Sequence, residues 1–280
     1  MLNFRARGGS SAPLCVWLCV SMVFSVSRLS GAQESHEHKH GSPLHFSHPI
    51  FTESPSPDTK LRFDYLFLKA GGHDTEESLR DHTFQAEGEY AFNPSVSIEV
   101  KLPFTRRASQ GTTVSSTGSG EIALKLASFA AADRGILLGG GVELGLPTGS
   151  ERKGIGSDRL YQLEPFLDLG YQRGAFEFVT FLSYGTILNR DDADPREDEV
   201  ELASSALYRV SPRFETLVEM AVSRVVSGDE RGEQAISAGP SFKYRVQRVE
   251  QLVFGIAARF PVTEHREFER EFIVSALYHF

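Results

Sequence analysis

The chain has little cysteine, and what it has sits at one end. Cys15 and Cys19 are the only two of 280 residues, and both precede residue 20. Whatever remains after that segment carries no disulfide framework and no thiolate metal site. Tryptophan and methionine are also scarce, at one and three residues. No stretch after residue 32 approaches the roughly 20 apolar residues a membrane-spanning helix needs. Nucleotide-binding glycine loops, nucleophile elbows and metalloprotease helices are missing as well. The formal charge of −8 argues against a nucleic-acid partner.

The N-terminus has a three-part layout. Arg5 and Arg7 form a small basic region, an apolar run follows from Pro13 to Val26, and Ser30 and Ala32 are small residues placed for cleavage after Ala32. We read residues 1–32 as a secretory signal peptide, because the apolar run is too short for a comfortable span. The sequence VWLC lacks the small residue expected before an acylated cysteine. Loss of Arg5, Arg7 and Arg28 with this leader takes the charge from −8 to −11.

Residues 33–59 are polar and rich in His and Pro, with neither helical nor strand periodicity. They are expected to form a flexible periplasmic arm. Five of the nine histidines fall here: His36, His38, His40, His45 and His48. Imidazole at this density suits copper, zinc or nickel, so the arm is a candidate for metal capture, with solubilising linker as the bland reading.

From Lys60 onward the pattern changes. Apolar residues take every second position in twelve segments of about ten to fourteen residues. Leu61, Phe63, Tyr65 and Phe67 alternate with Arg62 and Asp64, and the chain ends on Phe272, Val274, Ala276, Tyr278 and Phe280. The 21 Phe and 8 Tyr favour strand over helix. Connections alternate too: short at Asn93-Pro94, Arg173-Gly174 and Ser211-Pro212, long and polar between them. Short turns alternating with long loops are the layout of an outer-membrane barrel. A soluble sandwich also alternates, but it has no need of a strand running to the last residue. A closed barrel does, because its last strand must pair fully with its first. The expectation is therefore an all-β, twelve-stranded antiparallel transmembrane β-barrel of the bacterial outer membrane over residues 60–280. Tyr278 and Phe280 resemble the C-terminal signature of such barrels, which implies lipids and the barrel-assembly machinery as partners.

The opposite face of the strands carries charge. Asp64, Glu87, Glu89, Glu99, Lys101, Glu121, Lys125, Glu143, Glu164 and Asp168 fall there. So do Glu177, Glu199, Glu201, Arg209, Glu215, Glu219, Lys243, Arg245, Arg259 and Glu271. Some pairs are expected to meet across strands, Glu99 with Lys125 for one. Acids outnumber bases about two to one in this set, more than pairing alone can satisfy. This suggests lumenal water and a cation-favouring channel for small solutes or metal ions. An occluded barrel with an ion-pair network is the alternative. A second is a lipid-modifying enzyme built on His82 with Ser78 and Asp81, or on His265 with Glu264. Neither group displays a nucleophile, base and orienter together, and no catalytic residues are assigned.

Three strands carry a family resemblance. GSGEIALKLASF (118–129), GGGVELGLPTGS (139–150) and YQLEPFLDLGYQ (161–172) are similar to consecutive strands of the MetA-pathway of phenol degradation family. The resemblance covers Lys60 to Phe280 and implies an outer-membrane, transporter-like barrel without an established catalytic set.

Overall fold

The structure is a computed structural model that describes residues 44–71, 78–189, 198–228, 230–263 and 268–280. Residues 1–43, and with them the expected leader and His36, His38 and His40, lie outside the described residues, as do Glu264 and His265.

Thirteen strands form one antiparallel sheet that closes on itself. They are β1 (Lys60–Gly71), β2 (Ser78–Asn93), β3 (Val96–Ser109), β4 (Thr112–Thr117), β5 (Gly120–Ser128), β6 (Ile136–Leu146) and β7 (Gln162–Arg173), then β8 (Phe176–Ile187), β9 (Glu199–Ser211), β10 (Phe214–Val225), β11 (Gln234–Arg245), β12 (Leu252–Pro261) and β13 (Arg270–His279). Twelve of them make the barrel. β4 prolongs the position of β5, since both pair with β3, β4 along its upper half and β5 along its lower half.

Closure comes from β1 and β13, paired without interruption from Lys60↔His279 to Lys69↔Arg270. Even the last residue takes part: the Phe280 amide donates to the Thr59 carbonyl at 3.0 Å. A barrel leaves no edge, and the final alternating stretch is what removes it.

The fourth barrel position breaks for a local reason. Pro103 has no N–H to give the neighbouring strand. Between β4 and β5 the Gly118 amide donates to the Pro103 carbonyl at 3.0 Å instead. The Thr148 hydroxyl then fills the gap, donating to the Gly118 carbonyl at 2.8 Å and accepting the Gly120 amide at 2.7 Å. Residues 105–119 are one of the long polar connections between alternating segments. They extend the sheet as a hairpin, because Gln110 and Gly111 both adopt positive φ, 51° and 74°, the turn that matches strand twist.

The outer wall is apolar. Phe84, Leu102, Leu167, Val218 and Ile256 are exposed at 55% or more. Such a continuous apolar wall would be a liability in water and is the requirement in lipid. At the end bearing the short turns the wall carries an aromatic girdle: Tyr90, Phe92, Phe176, Tyr208, Phe214, Tyr244, Tyr278 and Phe280. Tyr278 and Phe280 meet edge to face at 5.0 Å. Closed barrel and apolar wall together place the chain in the bacterial outer membrane.

Candidate functional site

The lumen is filled from the turn end by the chain's own N-terminal segment. Residues 44–59 form neither strand nor helix, and most of them are buried. This corrects the expectation of a flexible arm for its described part. The segment enters, reaches its deepest point near Phe51–Glu53, and returns to Lys60, where β1 begins.

Its side chains sit in sockets on the inner wall. Phe46 is fully buried against Leu137 and Val179. Gly170 makes the floor of that socket: a Cβ there would lie 2.7 Å from the Phe46 ring. Ile50 packs on Ala257 and Ile273, over Gly255, where a Cβ would come within 2.8 Å of its Cδ1. The Arg259 guanidinium lies 4.6 Å over the Phe51 ring.

A segment without regular structure carries backbone N–H groups that need acceptors. The wall carboxylates supply them. Glu219 accepts the amides of Ile50, Phe51 and Thr52 at 3.2, 2.9 and 3.1 Å, and also the Ser241 hydroxyl at 2.6 Å. Glu177 accepts the Ser47 amide at 2.9 Å, Arg209 at 2.7 Å and Gln172 at 3.0 Å. Glu89 accepts the Asp58 amide at 3.1 Å. The Ile50 carbonyl is in turn held by Arg62 at 2.6 Å. Part of the surplus of lumenal acid thus serves the plug, a role the acid count alone did not reveal.

Charges organise the middle of the lumen. Lys60 is buried between Glu87, Glu89 and Glu99 at 2.7, 3.1 and 3.4 Å. Lys125 meets Glu99 at 3.5 Å, the pair expected from alternation, and Glu89 at 3.6 Å. Glu53 of the plug bridges Lys101 at 3.0 Å and Lys125 at 3.3 Å. Burial alone would raise the Glu53 carboxyl, but Lys101, Lys125 and Lys60 outweigh it and hold the group well below the usual carboxylate range. Lower on the plug, burial would raise Asp58 also. Hydrogen bonds from His279, His45 and His48 hold it well below its ordinary value. Burial, with the Lys60 ammonium alongside, keeps the His48 imidazole well below its own.

Above the plug lies an acidic vestibule. A cavity of about 420 Å³ is lined by Glu121, Glu143, Glu164, Gln162, Glu151 and Leu160. Two of these acids meet Lys101, Glu143 at 3.2 Å and Glu121 at 3.9 Å. A smaller cavity of about 130 Å³ is bordered by Glu199, Glu201, Arg259 and Phe268.

Most of the charged residues assigned to the inner face lie there. Asp64, Glu87, Glu89, Glu99, Lys125, Asp168, Glu177, Glu219, Lys243 and Glu271 are buried. Lys101, Arg209, Glu215 and Arg259 are engaged in ion pairs, and the remaining glutamates border the two cavities. Arg245 is the exception. It is exposed and donates to the Glu250 carbonyl at the turn end. The inner face also carries apolar residues that a reading for charge passed over: Leu137, Val179, Leu207, Leu217, Ala257 and Ile273. The signal was there in strands apolar on both faces near the turn end.

The His82 group does not assemble. Neighbours on a strand point to opposite faces, so His82 bonds Tyr65 at 2.7 Å while Asp81 turns inward to Arg107. The Ser78 side chain lies outside the described residues. His45 and His48 do come together with an acid, Asp58, at the turn-end mouth.

Comparison with known protein families and with curated proteins found no match. Solved structures do match in fold. The COG4313 outer membrane channel from Pseudomonas putida F1 is 13% identical, covers 87% of this chain and 100% of its own, and gives a TM-score of 0.58. The KdgM porin is 9% identical over 79% of this chain and 99% of its own, with a TM-score of 0.52. The translocator domain of the autotransporter NalP from Neisseria meningitidis is 8% identical over 97% and 100%, with a TM-score of 0.51. The chain shares the barrel of outer-membrane porins and channels.

Proposed function

We propose that the protein is an outer-membrane channel for small solutes whose resting state is closed by residues 44–59. The observation that carries this reading is how the closure is made. The plug belongs to no strand, and it is held by side-chain acceptors, two glycine-floored sockets and one bridging glutamate. A wall built only to be filled has no need of a removable filler. Its side chains would pack across the lumen directly, as in the narrowest barrels.

The vestibule acids Glu121, Glu143 and Glu164 favour cations on the path that opens when the plug leaves. The channel neighbours support solute passage in general terms. Kinship with the MetA-pathway of phenol degradation family rests on the three strand motifs at 118–129, 139–150 and 161–172. Capture of copper, zinc or nickel by the His-rich segment belongs to the same reading, as does its traffic with lipid and the assembly machinery. A lipid-modifying activity gains nothing from the separated His82 and Asp81.

Single-channel recording decides it. The full mature chain, refolded into a planar bilayer, is expected to be mostly silent. A chain lacking residues 44–58 is expected to give steady conductance steps. Silence from the deleted chain, verified as a folded barrel, would overturn the channel reading in favour of a structural barrel.

A further inference from the structure

The turn-end mouth holds a group of side chains that solute passage itself does not need, and the inference drawn from them rests on the metal-capture part of the proposed function and narrows it to one site. His45 and His48 lie on the entering limb of the plug and Asp58 on the returning limb. One ligand atom from each lies within 4.8 Å of the others. We propose that His45, His48 and Asp58 form a binding site for a divalent first-row transition ion, which ties the two limbs of the plug together.

The distances favour it. A four-coordinate ion with bonds of about 2.0 Å sets its ligand atoms about 3.3 Å apart. His48 Nε2 and Asp58 Oδ2 are 3.2 Å apart, and His45 Nε2 and Asp58 Oδ2 are 3.5 Å apart. Both are already at that spacing. Closing the remaining gap falls to His45, whose side chain is 49% exposed and turns without disturbing the core. Its exposure also gives the ion its way in. His48 and Asp58 are the fixed members. His48 is buried, and Asp58 is held by the Glu89 carboxylate at its amide and by His279 at its side chain.

His279 has a different place. Its Nδ1 lies 2.6 Å from Asp58 Oδ2, a hydrogen-bond length and too short for two ligands of one ion. It is a positioning residue that orients the carboxylate from β13. Through it the site is connected to the strand that closes the barrel. Lys60 opposes the ion mildly. Its Nζ is 3.4 Å from His48 Nδ1, and that contact must lengthen when the ring proton moves to Nδ1. Lys60 keeps Glu87, Glu89 and Glu99 throughout.

A second cluster sharpens the assignment. Glu53, Glu87 and Glu99 also converge, but Lys60, Lys101 and Lys125 already fill the space between them. Nitrogen and oxygen donors together suit zinc, copper or nickel rather than calcium or magnesium.

The test is zinc binding to the refolded mature chain, measured by calorimetry and by equilibrium dialysis with metal analysis. It does not depend on conductance, so the site and the channel can fail separately. One tight equivalent is expected. The H45A/H48A and Asp58→Asn variants are expected to lose it, while a H36A/H38A/H40A chain keeps it. His279→Phe should weaken it about tenfold, the usual effect of losing an orienting partner. X-ray absorption of the zinc-loaded protein should show two imidazole nitrogens with oxygen. Heat-modifiable migration on gels checks that every variant is folded. Unchanged binding in H45A/H48A, loss in H36A/H38A/H40A, or absence of a stoichiometric site would each overturn the proposal. Copper and nickel titrations rank the ion.

Discussion

Glu219 shows at the residue scale what a lumenal acid is for. One buried carboxylate accepts three consecutive plug amides. Glu219→Gln keeps the shape but removes the charge and puts an amide donor near those donors. Hydrogen bonds to charged groups contribute more than neutral ones, so the docked plug should lose about 2 kcal/mol, or about 30-fold in its equilibrium. More frequent channel openings, with the barrel's heat-modifiable migration unchanged, would report this. Glu53 makes the plug sensitive to acid. Its docked carboxyl lies well below the ordinary 4.5. A group lowered on docking contributes fully above its free value and loses that contribution as pH falls through its docked value. Openings should therefore be rare from neutral pH down to about 4.5 and increase under stronger acid. Glu53→Gln should open more at neutral pH and lose the Glu53 share of the acid response, leaving the part carried by Asp58. Recordings across pH check both.

The element that matters most is one without regular structure. Residues 44–59 keep their place through a few anchor residues rather than a hydrogen-bond ladder, and Phe46 is the largest of these. Phe46→Ala empties the socket over Gly170, at a cost typical of buried aromatics, about 3–5 kcal/mol. Limited proteolysis should then cut within 44–59 while the strands stay protected. Equal protection in mutant and parent would mean that Phe46 does not anchor the plug. The hairpin of β3 and β4 makes a related point. An alternating pattern ended at Phe104 in the sequence because the next residues are polar, yet the turn at Gln110-Gly111 carries the sheet beyond the apolar wall. Strand formation there needs turn geometry and pairing, and neither needs lipid-facing residues.

For the whole molecule, closure and plugging are separate achievements of one chain. The wall closes through β1 and β13; the lumen closes through the segment just before β1. That arrangement predicts distinct effects of distinct acids. In a chain lacking the plug, E121Q/E143Q/E164Q should bring the reversal potential in a salt gradient toward the unselective value, because the acidic ring is what favours cations. The same changes should not weaken plug docking in the full chain, since none of the three accepts a plug amide among the described residues and Lys101, relieved of Glu121 and Glu143, keeps Glu53. An unchanged reversal potential would remove selectivity from the vestibule.

What the sequence determined by itself was the wall. Period-two alternation is local and is carried by every strand, so Phe63, Val274 and Phe280 declared their outward face, and the alternating turn lengths declared an even, closed barrel. Charged inner positions were legible for the same reason, and so was the meeting of Glu99 with Lys125. The plug was not legible. Its sixteen residues, 44–59, have no period, and polar sequence without period reads as disorder. Only the tertiary structure decided its place, because what holds it is scattered along the chain. Glu177 and Glu219 supply acceptors, Gly170 and Gly255 supply room, and Lys101 and Lys125 supply charge for Glu53. Those residues become neighbours only when twelve strands close around the segment.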